Sequence, residues 1–386
     1  MRWLLLLSLA CAACSDGAAA NDDGAVDGAA IDAATFDAPT SGADLTVVNP
    51  GVPFVYVGGY AGVITRYRLN PQSGQLGPAA TTAFTGSPSF LAVDDAHTHL
   101  YAVNEQTAGQ VASFAIDQAS GALTHLNDVS SGGNGPAHVS VDHSGKWVMA
   151  ANYGDGTIGV WPVQPDGSLG APSDTRAAGA NAHQIVASLS NLVVFVPCLG
   201  AGYVAQFTFD ASSGKLTPNP VPHVTTPAGA GPRHLAFHPN GTIAYLIAET
   251  NSTISAYHLD GAGQLTSMQT VSTLPPVFTG TNTAAEIWVH PSGKFLYGSN
   301  RGDDSIAIFT LDAAGMMTAK AFPKSGGQNP RDFTLDPTGQ WLLVANQGSG
   351  SLDVFRIDAT TGLLTPSGSV TVSMPSFVGV VTLPGS

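Results

Sequence analysis

Residues 232–265 read PRHLAFHPNGTIAYLIAETNSTISAYHLDGAGQL. The stretch is an apolar opening strand, a His-Pro-Asn-Gly turn, a second apolar strand, a polar turn after Glu249, a third strand carrying Tyr257, and a Gly-Gln-Leu turn. The same order recurs along the chain. The third-strand aromatics are Tyr67, Phe114, Trp161, Phe207, Tyr257, Phe309 and Phe355, spaced 47, 47, 46, 50, 52 and 46 residues apart. Each is followed by a glycine turn, at Gly74, Gly121, Gly167, Gly214, Gly263, Gly315 and Gly362. Two independent markers keeping one period of about four short strands point to an all-β, seven-bladed β-propeller.

The opening strands begin at Pro88, Pro136, Asn181, Pro232, Ala284 and Pro330, and the first unit has none. The chain ends with Pro375-Ser-Phe-Val-Gly-Val, which fits the missing piece. The C-terminal strand is therefore expected to be the inner strand of the first blade, closing the ring and removing two free sheet edges.

Composition agrees. Of 386 residues only 10% are charged, against roughly 25% in an average soluble protein, and 45 are glycine, which disfavours coiled coils and long amphipathic helices. A hydrophobic content of 44% supplies a sizeable core. The net charge of −14 repels phosphate backbones, so a nucleic-acid partner is not expected.

The N-terminus is different in kind. Arg2 precedes an apolar run over 3–13, too short for a membrane span of about 20 residues but suited to the core of a signal peptide. Small residues beside Cys11 and Cys14 resemble a bacterial lipoprotein signal over 1–14, with Cys14 as the lipidation site. Residues 15–50 hold seven Asp and no basic residue, the composition of a disordered tether. The expectation is an exported protein, anchored to a membrane by its lipid, with the propeller over 51–386 and no second subunit required. Cys198 is the one cysteine of the folded part and is read as a small buried hydrophobe.

In an antiparallel blade the start of the inner strand and the turn between second and third strands share one face. Position three of the inner strands reads Phe90, His138, His183, His234, Glu286, Asp332 and Phe377, and position two adds Arg233 and Arg331. The turns add Asn104-Glu105, Asn152-Tyr153, Glu249, Asn300-Arg301 and Asn346-Gln347. These side chains should converge at one rim of the central channel. His143, His238, His290, Asp142 and Asp336 fall in turns on the other face and are read as turn caps. The repeated Asn residues fit inter-blade hydrogen bonding, whereas His, Glu and Arg change type from blade to blade, as a functional site would. Arg suits an oxyanion, His exchanges protons near neutrality, and Glu orients a His or a water. Together they suit a small oxyanion-bearing molecule and proton movement at an ester-like bond. Three His are compatible with zinc, but neighbouring arginines oppose a cation, so neither a metal nor another cofactor is expected. No nucleophile elbow, P-loop or H-E-x-x-H motif occurs.

Three stretches carry a resemblance: Gly231-Pro-Arg-His-Leu-Ala-Phe-His-Pro-Asn-Gly241, the run from Glu286 to Gly302, and Asn329-Pro-Arg-Asp-Phe-Thr-Leu-Asp-Pro-Thr-Gly339, supported by 136–142 and 151–154. They resemble the lactonase family of seven-bladed propellers, which includes bacterial 6-phosphogluconolactonases and fungal carboxy-cis,cis-muconate lactonizing enzymes. The resemblance covers about 52–384 and implies cofactor-free opening or closing of a lactone. Carried over by motif, it implies catalytic roles for His138, His183, Glu249 and Glu286, and substrate binding by Arg233, His234, Arg301, Arg331 and Asn152. The chain departs from the family pattern at Asn181, at Cys198-Leu199-Gly200, and at Ala248.

The leading expectation is a lactonase opening an anionic or sugar-derived lactone outside the cytoplasm, 6-phosphogluconolactonase-like in family but not in substrate, because sugar-phosphate lactones are cytoplasmic. The alternatives are a membrane-tethered binding propeller without catalysis and a lactonizing or isomerising enzyme of the muconate type.

Overall fold

The computed structural model describes residues 51–384. The expected leader, Cys14 and the Asp-rich tether lie outside the described residues.

Among the described residues, twenty-eight strands form seven four-stranded antiparallel sheets. Blade 1 contains β1 (Val52–Gly59), β2 (Val63–Arg68) and β3 (Ala80–Ala83). Blade 2 is β4 (Leu91–Val93), β5 (His99–Asn104), β6 (Gln110–Ile116) and β7 (Leu123–Ser130). Blade 3 is β8 (Pro136–Val141), β9 (Trp147–Asn152), β10 (Thr157–Pro162) and β11 (Asp174–Ala177). Blade 4 is β12 (Val186–Ala187), β13 (Val193–Cys198), β14 (Tyr203–Asp210) and β15 (Lys215–Thr225). Blade 5 is β16 (Pro232–Phe237), β17 (Ile243–Ala248), β18 (Thr253–Leu259) and β19 (Leu265–Ser272). Blade 6 is β20 (Thr283–Val289), β21 (Phe295–Arg301), β22 (Ser305–Leu311) and β23 (Met317–Ala321). Blade 7 is β24 (Pro330–Leu335), β25 (Trp341–Asn346), β26 (Ser351–Ile357) and β27 (Leu364–Thr371). The last strand, β28 (Pro375–Leu383), pairs with β1 from Val52↔Leu383 to Gly59↔Pro375, so the C-terminus supplies the inner strand of blade 1.

The strands are apolar on both faces because each blade is packed on both sides. On β1, Phe54 and Tyr56 enter the layer against blade 2, while Val55 and Val57 enter the layer against blade 7. Seven hydrophobic clusters result, one for each interface between neighbouring blades. All seven periodic aromatics are buried on third strands.

A second periodic device locks the blades. The second strand of one blade sends a ring toward the glycine turn of the next. Tyr56, Tyr101, Tyr245 and Tyr297 hydroxyls donate to the carbonyls of Gly121, Gly167, Gly315 and Gly362. Trp147 and Trp341 donate instead to Ala211 and Pro71. At the remaining interface Val193 packs on Gly263 without a hydrogen bond. The tight approach explains the glycine: Gly315 has φ +78°, and a Cβ there would fall 2.3 Å from Ile243 Cδ1.

On the face opposite the expected site, Asp142 accepts from Ser144, Lys146 and Trp147, and Asp336 from Thr338 and Trp341. His238 and His290 accept backbone N–H groups two residues on. These are the expected turn caps. His143 is the exception: its backbone N–H donates to Asn191, and its ring caps no turn but lies 4.0 Å from Oδ2 of Asp95.

Candidate active site

The inner strands of blades 3, 5, 6 and 7 each begin with a register shift, between Pro136 and His138, Pro232 and His234, Ala284 and Ile287, and Pro330 and Asp332. In a regular strand, adjacent residues point to opposite faces. A bulge breaks that rule and re-aims side chains. In blade 5 it allows Arg233 and His234, neighbours in sequence, to join one cluster, and both are almost completely buried.

The cluster has two connected parts. In the first, Nε of Arg233 lies 3.2 Å from Oε2 of Glu249, and Nη2 of Arg301 lies 2.9 Å from the same oxygen. Nη1 of Arg233 donates to the Ala285 carbonyl at 2.7 Å, and Nη2 of Arg301 to the Ala284 carbonyl at 3.1 Å. Glu249 thus bridges two guanidinium groups held by the backbone of blade 6. Burial, then the Arg233 charge, lowers Arg301 to about 10, still charged at neutral pH.

In the second part, Nδ1 of His183 lies 3.1 Å from Nε2 of His234. Nδ1 of His234 lies 2.7 Å from Oε2 of Glu286, close but without hydrogen-bond alignment. Glu286 is also 3.8 Å from Nη1 of Arg233, which joins the two parts. A carboxylate beside Nδ1 of His234 favours the proton on that nitrogen. Nε2 of His234 then accepts, so His183 carries its own proton on Nδ1. Nε2 of His183 is left with a free lone pair and makes no hydrogen bond among the described residues.

Burial first, then surrounding positive charge, holds His183 and His234 well below the usual imidazole value, so both are neutral. His138 is depressed by burial, His234 and Arg233. Its ring stacks 4.3 Å from Phe90 and accepts a long contact from the Ile185 N–H. Glu286 moves the other way: burial pushes it up to about 7 against the pull of Arg233. Asp332 is raised by burial and by Glu286 while accepting the Val378 N–H. Two carboxyls buried side by side cannot both ionise cheaply, so the pair retains a proton near neutrality.

Of the residues expected at the site, His138, His183, His234, Arg233, Glu249, Glu286 and Arg301 form this connected group. Arg331 stands at its edge, with its guanidinium 5.7 Å from the Tyr60 ring centroid and no carboxylate within ion-pair distance among the described residues. Asn152 differs from its expected role in substrate binding. It is fully buried, and its amide nitrogen is committed to the Ser131 carbonyl and the Thr157 hydroxyl. Asn104, Asn300 and Asn346 likewise donate to Thr85, Thr273 and Ser325, tying each second strand to the connection that enters its blade. Asn181 adopts φ +54° and donates to the Tyr153 carbonyl, and Cys198 is buried with its thiol pushed up to about 12 by burial.

Tyr60 was missed by sequence reasoning. Its hydroxyl donates to Oε2 of Glu105 at 2.8 Å, and its ring faces Arg331. The signal was available, since Tyr60 follows β1 at the place in the repeat where Glu105 follows β5. Among the described residues no trio of His, Cys, Asp or Glu converges as metal ligands.

The profile of the seven-bladed β-propeller lactonases matches residues 54–380. The chain belongs to that lactonase family. It is 35% identical over 297 residues to the 6-phosphogluconolactonase of Bacillus subtilis (strain 168), covering 72% of this chain and 84% of that one. It is 34% identical over 239 residues to that of Pectobacterium carotovorum, covering 62% and 71%. Among solved structures, the periplasmic gluconolactonase PpgL of Pseudomonas aeruginosa superposes with a TM-score of 0.82 at 30% identity, covering 86% of this lactonase-family chain and all of the other.

Proposed function

We propose that this lactonase-family propeller hydrolyses a sugar-derived lactone lacking a phosphate group, outside the cytoplasm. The observation that carries the reaction is the ordered contact from Glu286 through His234 to His183, which leaves one basic imidazole nitrogen beside fixed cations. Nε2 of His183 takes a proton from the attacking water as its oxygen bonds to the lactone carbonyl carbon. Arg301 and Arg331 stabilise the negative charge that develops on the carbonyl oxygen. Arg233 and Glu249 hold this arrangement in place. The ring C–O bond then breaks, His183 returns the proton to the departing oxygen, and the new carboxyl group loses its own proton to solvent.

The substrate class follows from charge. Two of the three arginines are already shared with Glu249, whose carboxylate would repel a phosphate dianion. One uncommitted guanidinium suits a neutral polyol lactone or a single carboxylate. The likeness to a periplasmic gluconolactonase supports the same assignment, and so does the lipoprotein-type leader with Cys14 as the anchor point.

The test is pH-stat turnover of glucono-δ-lactone against its 6-phosphorylated form. The expected result is faster turnover of the unphosphorylated lactone, lost in Arg301→Ala. No turnover of any sugar lactone by folded protein would favour a binding propeller, and faster turnover of the phosphorylated form would overturn the substrate class. Metabolic labelling with palmitate tests the anchor: the full chain should take up label and Cys14→Ala should not.

A further inference from the structure

Five of the blades set their front turn in the same way. The backbone N–H groups of Tyr60, Glu105, Tyr153, Glu249 and Gln347 donate to the carbonyls of Met374, Ser87, Gly135, Gly231 and Asn329. Each acceptor is the residue before a proline that opens an inner strand. The five donors therefore occupy equivalent positions around one rim. Glu249 belongs to the cluster described above, whereas Glu105 has no part in it. In the ring, blade 2 is three blades from blade 5 and three from blade 6, so Glu105 stands across the channel mouth from Glu249 and Arg301.

Glu105 is half-buried. Its Oε2 accepts the Tyr60 hydroxyl at 2.8 Å, and its Oε1 has no hydrogen-bond or ion-pair partner among the described residues. Burial pushes Tyr60 up to about 12, so its hydroxyl keeps its proton and holds Glu105 in place. The flanking rings tie this carboxylate to the reacting groups on both sides. The Arg331 guanidinium lies 5.7 Å from the Tyr60 ring centroid, and the Tyr153 ring stands edge-on to His183 with centroids 5.6 Å apart.

The charges narrow the choice of ligand. The front carries Arg233, Arg301 and Arg331; against them stand Glu249, Glu105 and the single negative charge left on the Glu286–Asp332 pair. The rim is balanced before any ligand enters, so an anionic substituent beside Glu105 would meet a like charge with no guanidinium to spare. A carboxylate oxygen with an open acceptor site suits a hydroxyl, since hydrogen bonds to a charged acceptor are stronger than neutral ones.

Resting on the lactonase reading of this site, we propose that Glu105 sets specificity for an uncharged polyol lactone, accepting a substrate hydroxyl on Oε1 and turning away a phosphate or a carboxylate. The lactone carbonyl lies between Arg301, Arg331 and His183, and its hydroxyl-bearing carbons extend across the mouth toward Glu105. Of the two ligand classes that one uncommitted guanidinium suits, this selects the neutral one.

The test measures kcat and KM for glucono-δ-lactone and for its 6-phosphorylated form, with wild type, Glu105→Gln and Glu105→Lys, and thermal melting confirming the fold. Glu105→Gln should raise KM for the unphosphorylated lactone about tenfold with kcat little changed, the scale of a hydrogen bond to a charged group lost equally in ground and transition state. The ratio of kcat/KM between the two substrates should move toward the phosphorylated form in Glu105→Gln, and by about a hundredfold in Glu105→Lys. A merely structural role would lower both substrates alike. An unchanged ratio in Glu105→Lys, or an equal loss on both substrates in Glu105→Gln, would overturn the role of Glu105 while wild-type turnover still upheld the lactonase reading. The role is read as a shift between variant and wild type, so it is decided whichever form wild type prefers. Absence of wild-type turnover on both substrates would instead strike the lactonase reading on which the proposal rests.

Discussion

Nε of Arg233 lies 3.2 Å from Oε2 of Glu249, a contact made within blade 5 between the bulged start of β16 and the turn that follows β17. Arg233 is 3% exposed and is held charged by Glu249 and Glu286. Removing a partner strands a buried charge, which is costly. Glu249→Ala should therefore lower both stability and activity, and Glu249→Gln should soften the activity loss only slightly, because the amide cannot balance two guanidinium groups. Arg233→Ala should reduce kcat by about 10², the scale of a 1 Å misplacement of the groups it holds. Arg233→Lys should not restore it, because a point charge cannot reach both Glu249 and the Ala285 carbonyl. Steady-state kinetics on the four variants decide the matter; full activity in Arg233→Lys would show that only net charge is needed.

His183 is singled out as the base by the tautomer argument rather than by proximity alone. His183→Gln should lower kcat by about 10²–10⁴ with little change in KM. His234→Gln should have a smaller effect, because it leaves Nε2 of His183 in place and removes only what fixes its partner nitrogen. The reverse ranking would move the base to His234.

Much of this architecture was legible in the chain, for physical reasons that can be named. Tyr257 and Gly263 recur in every unit because each blade must bury a third-strand ring and turn back tightly against its neighbour. Pro375 to Val380 was readable as the missing inner strand because an unclosed ring would expose two edges. The convergence of Arg233, Glu249 and Arg301 followed from strand direction alone. Less was legible where local geometry departs from the repeat. The bulges that bring Arg233 and His234 together leave no mark in period-two patterning. Asn152 lies one residue before the place in the repeat that Glu249 holds and recurs as Asn104, Asn300 and Asn346, a pattern that fits its bond to Ser131 better than the substrate contact implied by motif. The buried carboxyl pair needed the third dimension, since Glu286 and Asp332 start different blades and reveal their shared proton only when both are seen buried side by side.

The blade-locking rings make a separate prediction about stability. Tyr245→Phe removes the hydroxyl that donates to Gly315 at 2.8 Å and leaves a buried carbonyl unpaired, so a loss of about 1–2 kcal/mol is expected. Gly315→Ala should cost more, because the added Cβ meets Ile243 at a backbone position with φ +78°. Urea unfolding of the two variants checks the order. Equal stability of Gly315→Ala and wild type would mean that the blades slide to make room.

The buried imidazoles set the response to acid. Burial holds His138, His183 and His234 well below 6.5, so the folded chain stays unprotonated where the unfolded chain takes up protons. Each therefore contributes stability that is lost as pH falls below about 6.5, by up to about 1.4 kcal/mol per pH unit. Glu286 and Asp332 act oppositely. Their folded values are raised, Glu286 from 4.5 to about 7, so between those limits the folded chain keeps protons that the unfolded chain has released, and stability falls as pH rises through that window. Between pH 4.5 and 6.5 the three imidazoles and Glu286 therefore pull in opposite directions. His138→Leu, which places an apolar side chain against Phe90, removes one imidazole that opposes acid stability. Its unfolding free energy should fall less steeply on acidification than that of wild type, by up to about 1.4 kcal/mol per unit between pH 5 and 6. Urea titrations at those two pH values measure the difference directly, and parallel slopes would mean that His138 takes up its proton inside the folded propeller.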